Sequence, residues 1–275
     1  MAVPLRPVAV RSVPGRAPVV SAYREFGPAP AAARAVACTW QGAARWSRRM
    51  RLLPDGCLDL VWDGQHARVV RPAARQVRRP VGGDALITGI RIRPGWAGVI
   101  LGLPLGDLPD IADLADVWGG AAAERLEATL SAAATPAAVR DGLSALAVGR
   151  LAGSVAPDPR VLAAVRLLGR SQATVGDAAA RSGLSARQLR RCFDDHVGVP
   201  PKVLQTILRL HRLRAWLTAA GPAPVALARA AAECGYFDHA HLCRDCARLA
   251  GVTPAALLAA SAGFSRFAIR ECNDL

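Results

Sequence analysis

The chain has 275 residues, 52% of them hydrophobic, with a formal net charge of +14 and a sequence pI near 11.0. That hydrophobic share excludes a disordered chain, and the length allows two domains, each with its own core. No apolar run reaches the roughly 18 uncharged residues of a membrane span.

The positive charge fits a polyanionic partner but does not say which part of the chain meets it. Residues 158–275 hold 16 Lys and Arg against 9 Asp and Glu, while residues 1–51 hold 9 Arg against one Glu. Seven cysteines, an odd number without regular pairs, predict reduced thiols and a cytoplasmic protein.

Taken in order, residues 1–20 are basic and interrupted by proline, which predicts a flexible arm rather than a cleaved leader. Residues 21–118 read as a β-rich domain. Val36–Trp40, Arg51–Leu53, Leu58–Trp62, Arg68–Val70 and Leu86–Arg93 are short segments bounded by Pro-Asp-Gly, Asp-Gly and Gly-Gly. The clearest hairpin signals lie in Arg51–Gly64. Trp40, Trp46, Trp62 and Trp96 read equally as core or as pocket walls, and His66 is the only histidine of this half. Cys57, beside a turn, reads as a packed thiol before a redox one.

Residues 119–152 form a helical extension, with helices expected over Ala121–Leu130 and Pro136–Leu151. Their apolar faces need a partner, either the sheet or a second subunit. Gly153–Pro159 breaks the periodicity and reads as a linker. Residues 160–262 then form an all-α domain, and 263–275 a tail.

The all-α domain contains one supersecondary unit twice. Leu227, Ala230, Ala231 and Cys234 recur at helical spacing before Gly235, and Asp238 is placed to cap a second helix that stops at Gly251. Val175, Ala178, Ala179 and Ser182 have the same spacing before Gly183. Leu189, Phe193, Gly198 and Pro201 then match Leu242, Cys246, Gly251 and Pro254 at one constant offset, and the second turn is one residue longer. Two short helices around a tight glycine turn, the second bearing polar and basic side chains, read as a helix-turn-helix. Between the units, Lys202–Ala220 reads as one helix of roughly 28 Å, near the 34 Å between successive major-groove faces.

This duplicated arrangement resembles the DNA-binding domain of the AraC/XylS family of bacterial transcription regulators, above all in GYFDHAHLCRDCARLAGVTP. Cys246 departs from that pattern, standing where Phe193 stands in the first unit and where the family has an aromatic. LLPDGCLDLVW and GIRIRPGWAGVILGLPL resemble the β-rich, cupin-like N-terminal domain of one branch of such regulators. The resemblance implies an α+β two-domain protein: a β-rich cupin-like domain with a helical extension, then an all-α double helix-turn-helix domain. It implies double-stranded promoter DNA and RNA polymerase as partners, with a small-molecule effector, a homodimer, or both.

The candidate site residues follow from the two second helices. Arg187, Gln188, Arg190 and Arg191 lie outside the core positions Leu184, Leu189 and Phe193, and Ser185 falls on the cap. Arginine bonds guanine O6 and N7 bidentately, and glutamine does the same to adenine. The bland alternative is a solvated basic face. In the second unit the exposed positions are His239, Ala240, Cys243 and Arg244, with Arg244 the strongest donor.

His239, Cys243 and Cys246, with Cys234, have the spacing of zinc ligands, but the repeat marks Cys234 and Cys246 as core, so no metal and no cofactor are expected. Asp194, Asp195 and His196 diverge around a helix end and make no acid–base pair. No catalytic group is assigned. The rival readings are a DNA-targeted cysteine alkyl-transfer repair enzyme, disfavoured by only Cys38 and Cys57 in the N-terminal half, and a ligand-binding protein with a vestigial DNA domain.

Overall fold

The computed structural model describes residues 22–43, 48–75, 77–81, 86–170, 172–220 and 227–260, so the arm at 1–20 and the tail at 263–275 lie outside the described residues. The N-terminal half is built on a six-stranded antiparallel sheet. Its strands are β1 (Ala22–Phe26), β2 (Val36–Ala43), β4 (Leu58–Trp62), β5 (Ala67–Val70), β7 (Leu86–Ile92) and β8 (Ile111–Asp113), ordered β1-β2-β7-β4-β5-β8. A second sheet pairs β3 (Arg48–Leu52) with β6 (Val77–Val81).

Alternation along the strands gives the large sheet two different faces. Leu58, Leu60, Trp62, Val69, Ile90 and Ile92 turn toward α1 (Ala97–Leu101), α3 (Gly120–Ser131) and α4 (Pro136–Ala152), and form a core with Ile100, Leu126 and Leu143. Trp62 and Trp96 belong to this core, whereas Trp40 lies on the opposite face, with Nε1 donating to Asp59 3.2 Å away. Trp46 lies outside the described residues.

Gly89 of β7 makes room for the Trp40 ring: a Cβ there would come within 2.3 Å of it. Gly89→Ala is therefore expected to cost about 1–3 kcal/mol, the usual range for overpacking a closed site. Thermal denaturation checks this, and an unchanged midpoint would contradict it.

Three strands escape the sequence pattern: β1, β6 and β8. The helical extension begins later than the first helices, since α1 and α2 (Leu114–Trp118) lie inside the β-rich half. Thr135 caps α4, accepting from the Ala138 N–H at 3.1 Å, with Pro136 at its first position.

The hairpin expectation over Arg51–Gly64 divides. Asp63-Gly64 does close a hairpin between β4 and β5. Pro54-Asp55-Gly56 does not: β3 pairs with β6, and β4 with β5 and β7. This turn instead carries the chain from one sheet to the other and leans on the C-terminal half.

The C-terminal half is helical: α5 (Pro159–Leu168), α6 (Val175–Arg181), α7 (Ala186–His196), α8 (Pro201–Ala220), α9 (Leu227–Cys234), α10 (His239–Ala250) and α11 (Pro254–Ala260). Two cores form along α8. Its first half joins Val161, Ala179, Leu189 and Phe193 through Leu204 and Leu208, and its second half joins Ala230, Leu242 and Leu249 through Leu210, Leu213 and Leu217. The chain thus has the expected class, a β-rich domain with a helical extension followed by an all-α domain.

Candidate nucleic-acid interface

The first unit is α6, a turn and α7. Thr174 and Asp177 form a capping box at the start of α6, and Ser185 and Gln188 form a second one at the start of α7. Between them Gly183 takes φ +65°, a left-handed turn that glycine makes without steric cost. The α7 core positions Leu189 and Phe193 are fully buried. Arg187, Arg190 and Arg191 stand exposed on the outer side of α7, together with Ser185 and Gln188.

The cap restricts Gln188. Its Oε1 accepts the Ser185 N–H at 2.9 Å, so a bidentate grip on adenine would require breaking the capping box. Gln188 is therefore a helix-start residue in this structure, while the three arginines stand exposed and extend into solvent.

The second unit, α9, turn and α10, repeats the geometry. Gly235 takes φ +80°, and the Tyr236 N–H donates to the Ala231 carbonyl at 2.8 Å, as the Leu184 N–H donates to that of Ala179 at 3.0 Å. Asp238 caps α10 by accepting the His241 N–H at 2.6 Å. Counting from the glycines, Leu184 corresponds to Tyr236. Counting from the caps, Ser185 corresponds to Asp238, so Phe237 is the one-residue insertion of the longer turn. Tyr236 also answers the departure at Cys246. Both are buried in the same core, so the aromatic bulk comes from the turn instead of the helix.

The α10 surface is poorer in donors than that of α7. His239 and Ala240 are exposed and Arg244 reaches solvent, but His239 Nε2 lies 3.3 Å from the Cys243 sulfur. His241 turns inward toward Arg209 (3.2 Å) and Asp245 (3.4 Å), and Arg248 pairs with Asp245 at 3.1 Å. The zinc alternative finds no geometric support among the described residues, where no three metal-ligating side chains gather. Cys234 and Cys246 lie in the apolar core, and burial pushes their thiols up to about 11 and about 12.

Between the units α8 runs unbroken for 20 residues, about 30 Å. Sequence patterning shows its apolar stripe but not its other face. Gln205, Thr206, Arg209, His211 and Arg214 are buried as well; Gln205 donates to the Ala173 carbonyl and Arg209 meets His241 and Asp245 within the helical half, whereas His211 lies under the turn at Pro54 from the N-terminal half. Leu53 packs into the second helical core, and Gly56 (φ +76°) sits so close that an added Cβ would fall 2.5 Å from Leu204. The Pro54 carbonyl accepts from His211 Nε2 at 2.7 Å. Nearby, the Leu105 N–H donates to the Asp195 carbonyl at 2.9 Å and Arg71 to that of Gly198 at 3.1 Å.

The same turn reaches back into the sheet. Asp55 accepts the Cys57 N–H at 2.9 Å through one oxygen and pairs with Arg91 at 3.0 Å through the other. Arg91, buried on the Trp40 face, also meets Asp59 at 3.0 Å and Glu25 at 3.4 Å. Burial alone would lower its pKa, but the Asp55 and Asp59 carboxylates override this and hold the guanidinium charged. These groups are far apart in sequence, and no local spacing announces them. One turn, Leu53–Cys57, thus links a buried charged cluster of the sheet to the helix that carries both helix-turn-helix units.

Comparison with known proteins agrees with this division. A helix-turn-helix domain model (HTH_18) matches residues 178–260, and a domain of unknown function (DUF6597) matches residues 24–112. None of the curated protein sequences matches the chain. Among solved structures, ToxT from Vibrio cholerae O395 aligns over 82% of this chain and 98% of its own, at 10% identity and a TM-score of 0.41. ToxT from Vibrio cholerae strain SCE256 with a bound unsaturated fatty acid aligns over 80% and 93%, at 10% identity and a TM-score of 0.39. No helix of the described residues is long and apolar enough to cross a membrane. The chain thus carries an AraC-type helix-turn-helix domain behind a DUF6597 domain and is an AraC-type DNA-binding transcription regulator.

Proposed function

We propose that the chain binds promoter DNA in a sequence-specific way, with α7 and α10 entering successive major-groove turns on one side of the duplex. The observation that carries this is the pairing of two capped, outward-facing helices on one continuous 20-residue helix. Arg187, Arg190 and Arg191 act from α7 and Arg244 from α10, on base edges or on phosphate; Ser185 and Gln188 fix the start of α7, and His239, Ala240 and Cys243 complete the α10 surface.

In this reading residues 160–262 are the DNA-binding domain, 153–159 the linker, 119–152 a helical extension available for dimerisation, and 21–118 the sensing domain. A small-molecule effector bound to the sensing domain would act through Leu53–Cys57, because that turn touches both the Arg91 cluster and α8. RNA polymerase is the further partner of such a regulator, and the protein works in the cytoplasm without catalysing a reaction.

Salt titration of binding to duplex DNA tests the electrostatic part. Each neutralised phosphate releases counterions, so log affinity should fall linearly with log salt, with a slope near −0.9 per phosphate contact and several units in all. Affinity that stays flat from low to moderate salt would refute it.

A further inference from the structure

Phe237 is 92% exposed, more than any other large hydrophobic side chain among the described residues, and it is the residue that the second turn has and the first lacks. A lone exposed apolar side chain is ordinary; its position makes this one informative. An apolar residue just before a helix cap commonly folds back onto the fourth helical residue. Here that residue is Leu242, already fully buried in a core that Tyr236 completes, so the ring of Phe237 stays outside. Its backbone is held in place, with the N–H directed at His241 Nδ1 at 3.4 Å.

We propose that Phe237 is a specificity residue of the second unit and that its ring packs on the 5-methyl group of a thymine in the major groove. This rests on the reading of α10 as a groove-entering helix. The N-terminal end of such a helix is the part that meets base edges, and Phe237 immediately precedes the Asp238 cap. Thymine is the base whose major-groove edge carries a methyl group, and apolar side chains recognise it by contact.

The remainder of the helix start agrees with apolar readout. Ala240 offers a methyl, His239 is engaged with Cys243, and His241 is turned toward Arg209 and Asp245. The first unit reads with arginines; the second reads a methyl group with Phe237 and Ala240, and adds Arg244.

The test uses the full chain. Binding sites are selected from random duplex DNA with wild-type protein and with Phe237→Ser, and each thymine of the wild-type site is then replaced singly by deoxyuridine, which lacks the methyl. One replacement, in the part of the site assigned to α10, should weaken wild-type binding by about fourfold, the worth of one buried methyl group. Phe237→Ser should lose preference for thymine at that position and show no further loss on the same replacement.

Equal affinity and an identical selected site for Phe237→Ser would overturn the proposal while leaving the DNA-binding reading standing. So would undiminished DNA binding with a lost transcriptional response, which would assign the ring to a protein partner. Wild-type protein that selects no sequence would overturn both. Circular dichroism of the variant, altered only at an exposed ring, separates a lost contact from a lost fold.

Discussion

Lowering the pH from about 7.5 to about 5 should loosen the N-terminal half from α8 by about 2 kcal/mol, for a histidine whose pKa falls from 6.5 when exposed to about 4 when docked. His211 is 4% exposed, its Nε2–H donates to the Pro54 carbonyl at 2.7 Å, and its Nδ1 is buried without a hydrogen-bond partner. Burial, and after it the Arg214 guanidinium and more distantly Arg91, push its pKa from 6.5 down to about 4. A second proton would therefore lie on Nδ1 with no acceptor, beside a positive charge.

The docked state binds fewer protons than the separated one between those two values. Docking is at full strength above pH 6.5 and weakens as the pH falls toward 4. Small-angle scattering at the two pH values, with limited proteolysis in 153–158, reads the separation. His211→Gln keeps a donor for Pro54 but cannot titrate, so it should remove most of the pH response. An equal response in that variant would assign it to another group.

That interface has the composition of one built to come apart. A permanent core around α8 would be apolar throughout, yet the side under the Pro54 turn buries His211 with Arg214 beside it. Buried cations regain water when the halves separate, which lowers the cost of opening relative to an apolar seam. The contact through Gly56 works in the other direction, since its close approach to Leu204 holds the turn in register with α8. The sheet and the two outward-facing helices α7 and α10 are thus connected through few residues.

How much of this is legible in the sequence depends on the range of the interaction. The helical half is largely local: Gly183 and Gly235 stop helices, Ser185 and Asp238 start them, and the buried positions repeat at helical spacing. Leu58–Trp62 can be read to the residue, because its alternation and flanking turns are local too. Pro54-Asp55-Gly56 shows the limit. Its residues specify a turn, but which strands pair across it is decided by packing elsewhere, and here the turn joins two sheets and contacts α8.

The Arg91 cluster and the cover on α8 bring together residues from Glu25 to Arg214, so neither leaves a pattern in any short window. In the candidate site the arginines of α7 were legible as exposed positions outside the core spacing. The use of Gln188 Oε1 in the cap was open to the same reasoning, since Ser185 and Gln188 have capping-box spacing.

Arg191→Ala and Arg244→Ala should relax sequence preference in two different parts of the binding site, about one helical turn apart. The two residues hold the same place in the repeat, each six positions after its cap, Ser185 and Asp238, and both are exposed. A bidentate arginine contact discriminates its base by about 1–3 kcal/mol, so each loss should be visible as a roughly five- to hundredfold drop in preference at one or two base pairs. An arginine that touches only phosphate would instead weaken binding evenly across sequences and reduce the salt slope by about one. Selection from random duplex DNA with each variant separates these outcomes. If both variants lose preference at the same base pairs, α7 and α10 do not lie in successive grooves, and α8, at about 30 Å, is not the spacer between them. If the losses fall a turn apart, the length of α8 sets the distance between the two half-sites. Lengthening α8 by one residue would then rotate the second unit by about 100° relative to the first, and should abolish simultaneous reading while leaving the preference of the first unit intact.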